Sequence, residues 1–367
     1  MPDLMPRSGV LKISPYVGGE AVLPGVETVI KLSSNESPLG PSPRAVAAYR
    51  AAADTLHRYS DGEAHALRRA IGACHGLDPA RIVCGSGSDE LLSLLAHAYA
   101  GGGDEIIHSQ YGFLLYPIIA HTVGATPVGA PESGLCTTVD ALLACVTSRT
   151  RIVYLANPNN PTGTYIPAEE MARLRRALPA SVLLVIDAAY AEYVDRAEYT
   201  PGTELVDGGA NTVMTRTFSK IHGLSALRLG WAYGPPAVID AVNRIRGPFN
   251  VSSPAQVAGI AAIEDRAYTE LSRVHNMLWR PWLTEQLRAL GLIPTDSVAN
   301  FVLVRFPDEP GRDAGAADAF LRRRGLIVRR MNSYGLGHSL RISIGRDTDM
   351  QTVVEVLTDF VSRRDAA

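Results

Sequence analysis

Val182-Leu183-Leu184-Val185-Ile186-Asp187 is an unbroken apolar run closed by a carboxylate. A strand with one wet face alternates apolar and polar residues. A continuous run fits a strand buried on both faces, as in a parallel sheet covered by helices. Outward from this stretch the pattern repeats. Short apolar runs at 81–85, 105–108, 126–129, 151–156, 212–216 and 229–233 read as further strands. Helical stretches, among them 89–100 and 167–177, separate several of them. Strands alternating with helices predict an α/β fold with a mostly parallel central sheet flanked by helices.

Residues 1–40 read as an irregular arm, because Pro15 and Gly18-Gly19 interrupt any periodicity. A short strand is expected at 29–32. The arm has little core of its own and is expected to lie on another surface, such as a second subunit. Residues 43–56 and 64–75 read as helices around a loop at 57–62. The texture changes at 248–254, where Pro248, Ser252, Ser253 and Pro254 break the chain. A helical region at 255–290 follows, which Pro281 is expected to kink or divide. Strands are expected at 299–305, 326–329 and 340–344. Helices are expected at 314–324 and from Met350 to about Arg363. The expected organisation is an arm at 1–40, a large domain at 41–250 and a smaller α+β domain at 251–367.

The 367 residues are 46% apolar and 20% charged, enough length and apolar content for two domains. A net charge of −2 gives no electrostatic footprint for nucleic acid or an anionic membrane. Arg322-Arg323-Arg324 reads as a solvated helix face. No apolar run approaches the length needed to span a bilayer, and the first twenty residues hold no apolar leader core. Four cysteines lack CxxC or metal-finger spacing, and nine histidines lack paired spacing, so no metal site is expected. A soluble cytoplasmic protein is the expectation.

The chemistry gathers at strand ends. In Thr217-Phe218-Ser219-Lys220, a lysine follows a strand, with a hydroxyl beside it and Arg228 eight residues on. Such a lysine could carry a phosphorylated aldehyde covalently, with Ser219 and Arg228 on the phosphate, or be an ordinary loop lysine. Gly85-Ser86-Gly87-Ser88-Asp89-Glu90 places small residues ahead of a helix. That is either an anion site on the amides of Ser88 and Asp89 or a plain N-cap. Tyr111, after another strand, could lie flat against a planar ligand or simply pack. Asn157-Pro158-Asn159-Asn160-Pro161-Thr162-Gly163 makes a specific turn where ligands of open α/β sheets bind. Asp187 needs a cationic partner, such as a protonated pyridine nitrogen, unless it caps the next helix. Tyr190 could reach the same place. In Leu340-Arg341-Ile342-Ser343-Ile344 the alternation leaves Arg341 on a rigid strand, suited to a carboxylate. Arg329 is a second candidate anion binder.

Together, Asn160-Pro161-Thr162-Gly163, Asp187 with Tyr190, Ser219-Lys220 and Arg228 resemble, in order and rough spacing, the fold-type I pyridoxal-phosphate aminotransferases. The resemblance runs from about Ser14 to Gly345. Within that family, several stretches are similar to the branch that acts on histidinol phosphate. They are Ser14-Pro15-Tyr16, 34–40, 58–62, Gly87-Ser88-Asp89-Glu90 and Arg329 to Arg341.

The resemblance implies a large cofactor-binding domain and a small α+β domain. It implies that Lys220 bonds the cofactor and moves the proton, and that Asp187 pairs with the ring nitrogen. Asn160 and Tyr190 would meet the ring's 3′-oxygen, and Tyr111 would stack on the ring. Ser88, Asp89, Ser219 and Arg228 would hold the phosphate. Tyr59 would reach the cofactor phosphate of a neighbouring subunit, giving a homodimer with shared active sites. Tyr16, Asn35 and Arg329 would contact the rest of the substrate, and Arg341 its carboxylate. The implied reaction transfers the amine of L-histidinol phosphate to 2-oxoglutarate, so one arginine site must take both a phosphate and a carboxylate. Ser37, Ser60 and Ser86 depart from the family's usual Asn, Pro and Asn, and bear on the substrate rather than on the cofactor. Close alternatives keep the cofactor: an aromatic aminotransferase or a phosphothreonine-type decarboxylase. A non-catalytic pyridoxal-phosphate sensor would carry a DNA-binding domain, for which the arm before Asn35 is too short.

Overall fold

The structure is a computed structural model and describes residues 4–26 and 28–362. The arm contributes a two-residue strand, β1 (Ile30–Lys31). Seven strands then form the main sheet: β2 (Ile82–Gly85), β3 (Glu105–Ser109), β4 (Thr126–Ala130), β5 (Thr150–Ala156), β6 (Leu183–Asp187), β7 (Thr212–Thr217) and β8 (Gly230–Tyr233). Their spatial order is β2-β8-β7-β6-β5-β3-β4. Only β8 runs against its neighbours; the other strands share one direction. The sheet is thus mostly parallel, as the apolar runs predict.

Burial on both faces is visible residue by residue in β6. Leu184 and Ile186 join one apolar cluster, with Leu67 and Ile71 of helix His65–His75 and Ala258 and Ile263 of helix Ser253–Glu264. Leu183 and Val185 join the other, with Leu91, Leu92 and Leu95 of helix Ser88–Tyr99 and Ile119 of helix Leu115–Val123. Period-2 side-chain alternation in a strand covered on both sides demands apolar residues at every position.

The remaining strands are β9 (Ile293–Pro294), β10 (Phe301–Arg305), β11 (Leu326–Ile327), β12 (Arg329–Arg330) and β13 (Ser339–Ser343). An antiparallel sheet, β12-β13-β10-β9, buries Val302, Val304, Leu340 and Ile342 against Phe320, Leu321, Val353 and Leu357. Helices Ala314–Arg322 and Asp347–Ser362 supply the latter four residues. The strand expected at 326–329 is two strands. β11 leaves this sheet and pairs in parallel with β1, so part of the arm lies on its own chain.

The helical region at 255–290 is divided, but at Asp265 rather than Pro281. Asp265 leaves the helical region (φ −81°, ψ 68°), and its carboxylate accepts from the Tyr268 N–H and the Ser42 hydroxyl. Helix Arg266–Ala289 continues through Pro281. Buried Arg280, Leu283 and Leu287 hold the turns on either side, which offsets the missing hydrogen bond. The last helix begins at Asp347, one turn before the expected Met350, and the expected end at Arg363 lies outside the described residues. Among the described residues no helix is long and apolar enough to cross a membrane.

Gly163 joins the two sheets. Its φ is 74°, its carbonyl accepts from Val298, and a Cβ there would lie 2.1 Å from Ser297 Oγ. Gly163→Ala combines left-handed strain with overpacking. It is expected to cost about 2–4 kcal/mol, read as a lower midpoint in urea unfolding.

Candidate active site

The carboxyl ends of β5, β6 and β7 deliver Asn160, Asp187 and Lys220 to one cavity of about 160 Å³. The arm's residues 33–35 and Arg341 on β13 close it from the other side. A parallel sheet places its loop-borne side chains at one edge, so residues distant in sequence converge there.

Lys220 is half-buried, and its Nζ donates to the Ser34 carbonyl at 3.2 Å. Burial first, and then the positive charge of Arg341, lower its pKa to about 8. Asp187 is buried. Its Oδ2 accepts from the Tyr116 hydroxyl at 2.8 Å, while Oδ1 has no hydrogen-bond partner among the described residues. Burial lifts its pKa to about 6, with the Tyr116 bond pulling the other way. Tyr116 is itself held by stacking on Tyr154, with ring centroids 4.8 Å apart.

The glycine turn builds an anion cradle. Helix Ser88–Tyr99 starts after Gly87 (φ 86°) with no side-chain cap, leaving its first amides available. Arg228 sits in the left-handed region (φ 50°) and lays its guanidinium against Gly87, where a Cβ would be 2.5 Å from Nη2. Its Nη1 donates to Ser219 Oγ at 3.3 Å and its Nη2 to Asp89 Oδ2 at 3.1 Å. Amides, a hydroxyl and a guanidinium thus meet at one positive helix end.

On the opposite wall, Arg329 and Arg341 are direct cross-strand partners on β12 and β13. Arg341 is buried; its guanidinium donates to Asn160 Oδ1 and, at 2.8 Å, to the Ser33 carbonyl. Neither partner is a carboxylate. Arg329 donates to the Val17 carbonyl at 2.6 Å, which draws the arm over the cavity. Like charges placed opposite each other are unfavourable, so this pair suits an anion between them.

Twelve of the sequence-derived candidates line this cavity: Tyr16, Asn35, Ser88, Asp89, Asn160, Asp187, Tyr190, Ser219, Lys220, Arg228, Arg329 and Arg341. Tyr111 and Tyr59 are not among its lining residues. Tyr111 is held beside it, its N–H donating to Glu132 and its carbonyl accepting from Asn159. Phe113 and Tyr116 are the aromatic residues that line the wall there. Tyr59 is 84% exposed and stacks on Phe249 at 4.6 Å. Asn35 borders the cavity, yet its side chain is engaged by Tyr190 and Ser343.

Sequence reasoning missed Tyr116, Phe113, Ser343 and the carbonyls of Ser33 and Ser34. One signal pointed to Tyr116: a tyrosine inside the apolar helix Leu115–Val123 needs a polar partner for its hydroxyl. Backbone carbonyls carry no such signal.

A buried carboxylate with a partnerless oxygen, a lysine amine with a depressed pKa and an uncapped helix start share this cavity. They match a pyridine N–H, an aldehyde and a phosphate. The comparisons with known proteins agree. A family model, aminotransferase class I and II, matches residues 27–357. The chain belongs to this family. It is 59% identical to the histidinol-phosphate aminotransferase of Paramagnetospirillum magneticum, over 97% of this chain and 98% of that protein. It is 58% identical to the enzyme of the same name from Rhodospirillum rubrum, over 97% of each. Among solved structures, the histidinol-phosphate aminotransferase of Sinorhizobium meliloti in complex with pyridoxal-5′-phosphate superimposes with a TM-score of 0.88. It is 31% identical, and 97% of each chain is covered. The fold is therefore the fold-type I architecture that the resemblance implies.

Proposed function

We propose that this chain is a pyridoxal-phosphate-dependent transaminase that converts L-histidinol phosphate and 2-oxoglutarate into imidazole-acetol phosphate and L-glutamate, a step of histidine biosynthesis. The carrying observation is the single cavity that sets Lys220, the free Oδ1 of Asp187 and the Arg329–Arg341 pair around one space. When bound, pyridoxal phosphate supplies the electron sink that makes the substrate α-carbon acidic. Asp187 would pair with the ring nitrogen and keep a proton there. Ser219, Arg228 and the amides of Ser88 and Asp89 would hold the cofactor phosphate. The Lys220 amine would take the proton from the substrate α-carbon as base and deliver it to the cofactor's C4′ carbon as acid. A pKa near 8 leaves part of it neutral at physiological pH, as a base requires. Arg341 and Arg329 orient the anionic end of each substrate: the phosphate of the amine donor and the carboxylate of the acceptor.

Competition kinetics test the substrate. Histidinol phosphate is expected to outcompete phenylalanine and tyrosine as amine donor with 2-oxoglutarate. No turnover of histidinol phosphate, with turnover of the aromatic amino acids, would move the assignment to an aromatic aminotransferase.

We further propose a cytoplasmic homodimer with shared sites. Supporting it are four free cysteines and a Tyr59 ring exposed outside its own cavity, with Leu56 and Tyr49 exposed nearby. Mixing Tyr59→Ala with Lys220→Ala subunits, each weak alone, is expected to recover about a quarter of the wild-type sites, since half the dimers are mixed and each holds one intact site. No recovery after exchange would mean that Tyr59 acts within its own subunit.

A further inference from the structure

Three consecutive arm residues each hold one functional group. The Ser33 carbonyl accepts from Arg341, the Ser34 carbonyl from Lys220 Nζ, and Asn35 reaches Tyr190. Asn35 is the most constrained of them. It is buried, sits at φ 56°, and uses all its polar atoms. Its N–H donates to Ser343 Oγ at 2.8 Å, and the Ser343 hydroxyl donates back to Oδ1 at 3.1 Å. Its carbonyl accepts from Asn300 Nδ2 at 3.0 Å. This directs Nδ2 at the Tyr190 hydroxyl, to which it donates at 3.0 Å.

A hydroxyl that accepts on one side has its own proton left for the other. Tyr190 is therefore set as a donor into the cavity. The same logic applies to Asn160 across the site. Its Oδ1 is taken by Arg341, which has only donors, so its NH2 is what remains for a ligand. The two residues offer converging donors, suited to one anionic oxygen.

We infer that Asn35 is a positioning residue, not a substrate contact: with Ser343 it fixes Tyr190 as a hydrogen-bond donor to the cofactor's ring oxygen. Ser343 lies two residues beyond Arg341 on β13, so the strand that grips the substrate anion also sets this hydroxyl. The inference rests on the pyridoxal-phosphate reading of the site.

The test is a pH titration of the absorbance of the lysine-bound cofactor, whose midpoint reports how well the ring oxygen is held as an anion. It is run on wild type, Asn35→Asp, Tyr190→Phe and the double variant. Aspartate tolerates the left-handed backbone but cannot donate, so it draws the Tyr190 proton away from the ring. Asn35→Asp is expected to raise the midpoint by about one pH unit, the size of one hydrogen bond to a charged group. In the Tyr190→Phe background the shift is expected to vanish. An equal shift in both backgrounds would mean a through-space charge effect and overturn the inference. So would an unmoved midpoint with only KM for the amine raised. Asn35→Gly keeps the backbone and removes the amide without adding charge. It is expected to lower kcat about tenfold at nearly constant KM, and a KM effect alone would again count against the inference. If wild type shows no pH-dependent cofactor band, the reading of the site itself is wrong. If the band is present and the variants leave it unmoved, only the role of Asn35 is wrong.

Discussion

Lys220→Ala is expected to end covalent capture of the cofactor and to lower turnover by about four orders of magnitude, the upper range for loss of a positioned acid–base group. The loss is specific because little else depends on this side chain. Among the described residues its amine donates only to the Ser34 carbonyl and lies 5.6 Å from the centre of the Tyr190 ring, and truncation enlarges an existing cavity rather than opening the core. The anion cradle of Ser219, Arg228 and the helix start is untouched, so the cofactor should still bind. Borohydride reduction followed by mass spectrometry separates the two effects: wild type gains the cofactor mass and the variant does not. A small primary amine added to the buffer should restore part of the rate. A variant that retains more than about a tenth of wild-type turnover would remove Lys220 from the chemistry.

Asp187→Asn is expected to lower kcat by about 10²–10³-fold, because an amide cannot keep the ring nitrogen protonated. Asparagine Oδ1 can still accept from Tyr116, so the local packing survives. The apoprotein gives a second readout with a definite sign. Asp187 has a folded pKa of about 6, raised from 3.8 by burial. Between those values the native chain binds the proton more tightly than the unfolded chain. Stability therefore falls as pH rises through this window. Relative to Asp187→Asn, the wild-type apoprotein is expected to lose up to about 3 kcal/mol between pH 4 and pH 7. Urea unfolding at several pH values measures the difference. A pH-independent gap between the two proteins would show that burial does not strain this carboxylate.

Much of this was legible because each strand end carries its chemistry in adjacent residues. Asp187 closes an apolar run, and Lys220 follows the run at 212–216, so the parallel sheet and its functional edge were read together. What escaped lies in contacts that cross the sequence. Pro281 looked like the helix break, but the cap that divides the helix is Asp265, tied to Ser42 from far upstream. The hydroxyl that holds Asp187 comes from Tyr116, on the helix Leu115–Val123, far from it in sequence. Asn35 lines the cavity as expected, but nothing near it in sequence reveals its bonds to Ser343 and Tyr190. The pairing of β1 with β11 was invisible because a two-residue strand has no period to detect.

That pairing also orders events during synthesis. The last strand of the main sheet ends at Tyr233, and the helix that covers one of its faces ends at Glu264. Ser33 and Asn35 leave the ribosome long before this, yet Arg341 and Ser343, which hold them on β13, are made long after Glu264. Lys220, Ser219 and Arg228 are thus all made before the strand that holds Ser33 and Asn35 in place. Arg329 and Arg341 also come after Glu264, so the opposite wall of the cavity is completed only once β12 and β13 have been made.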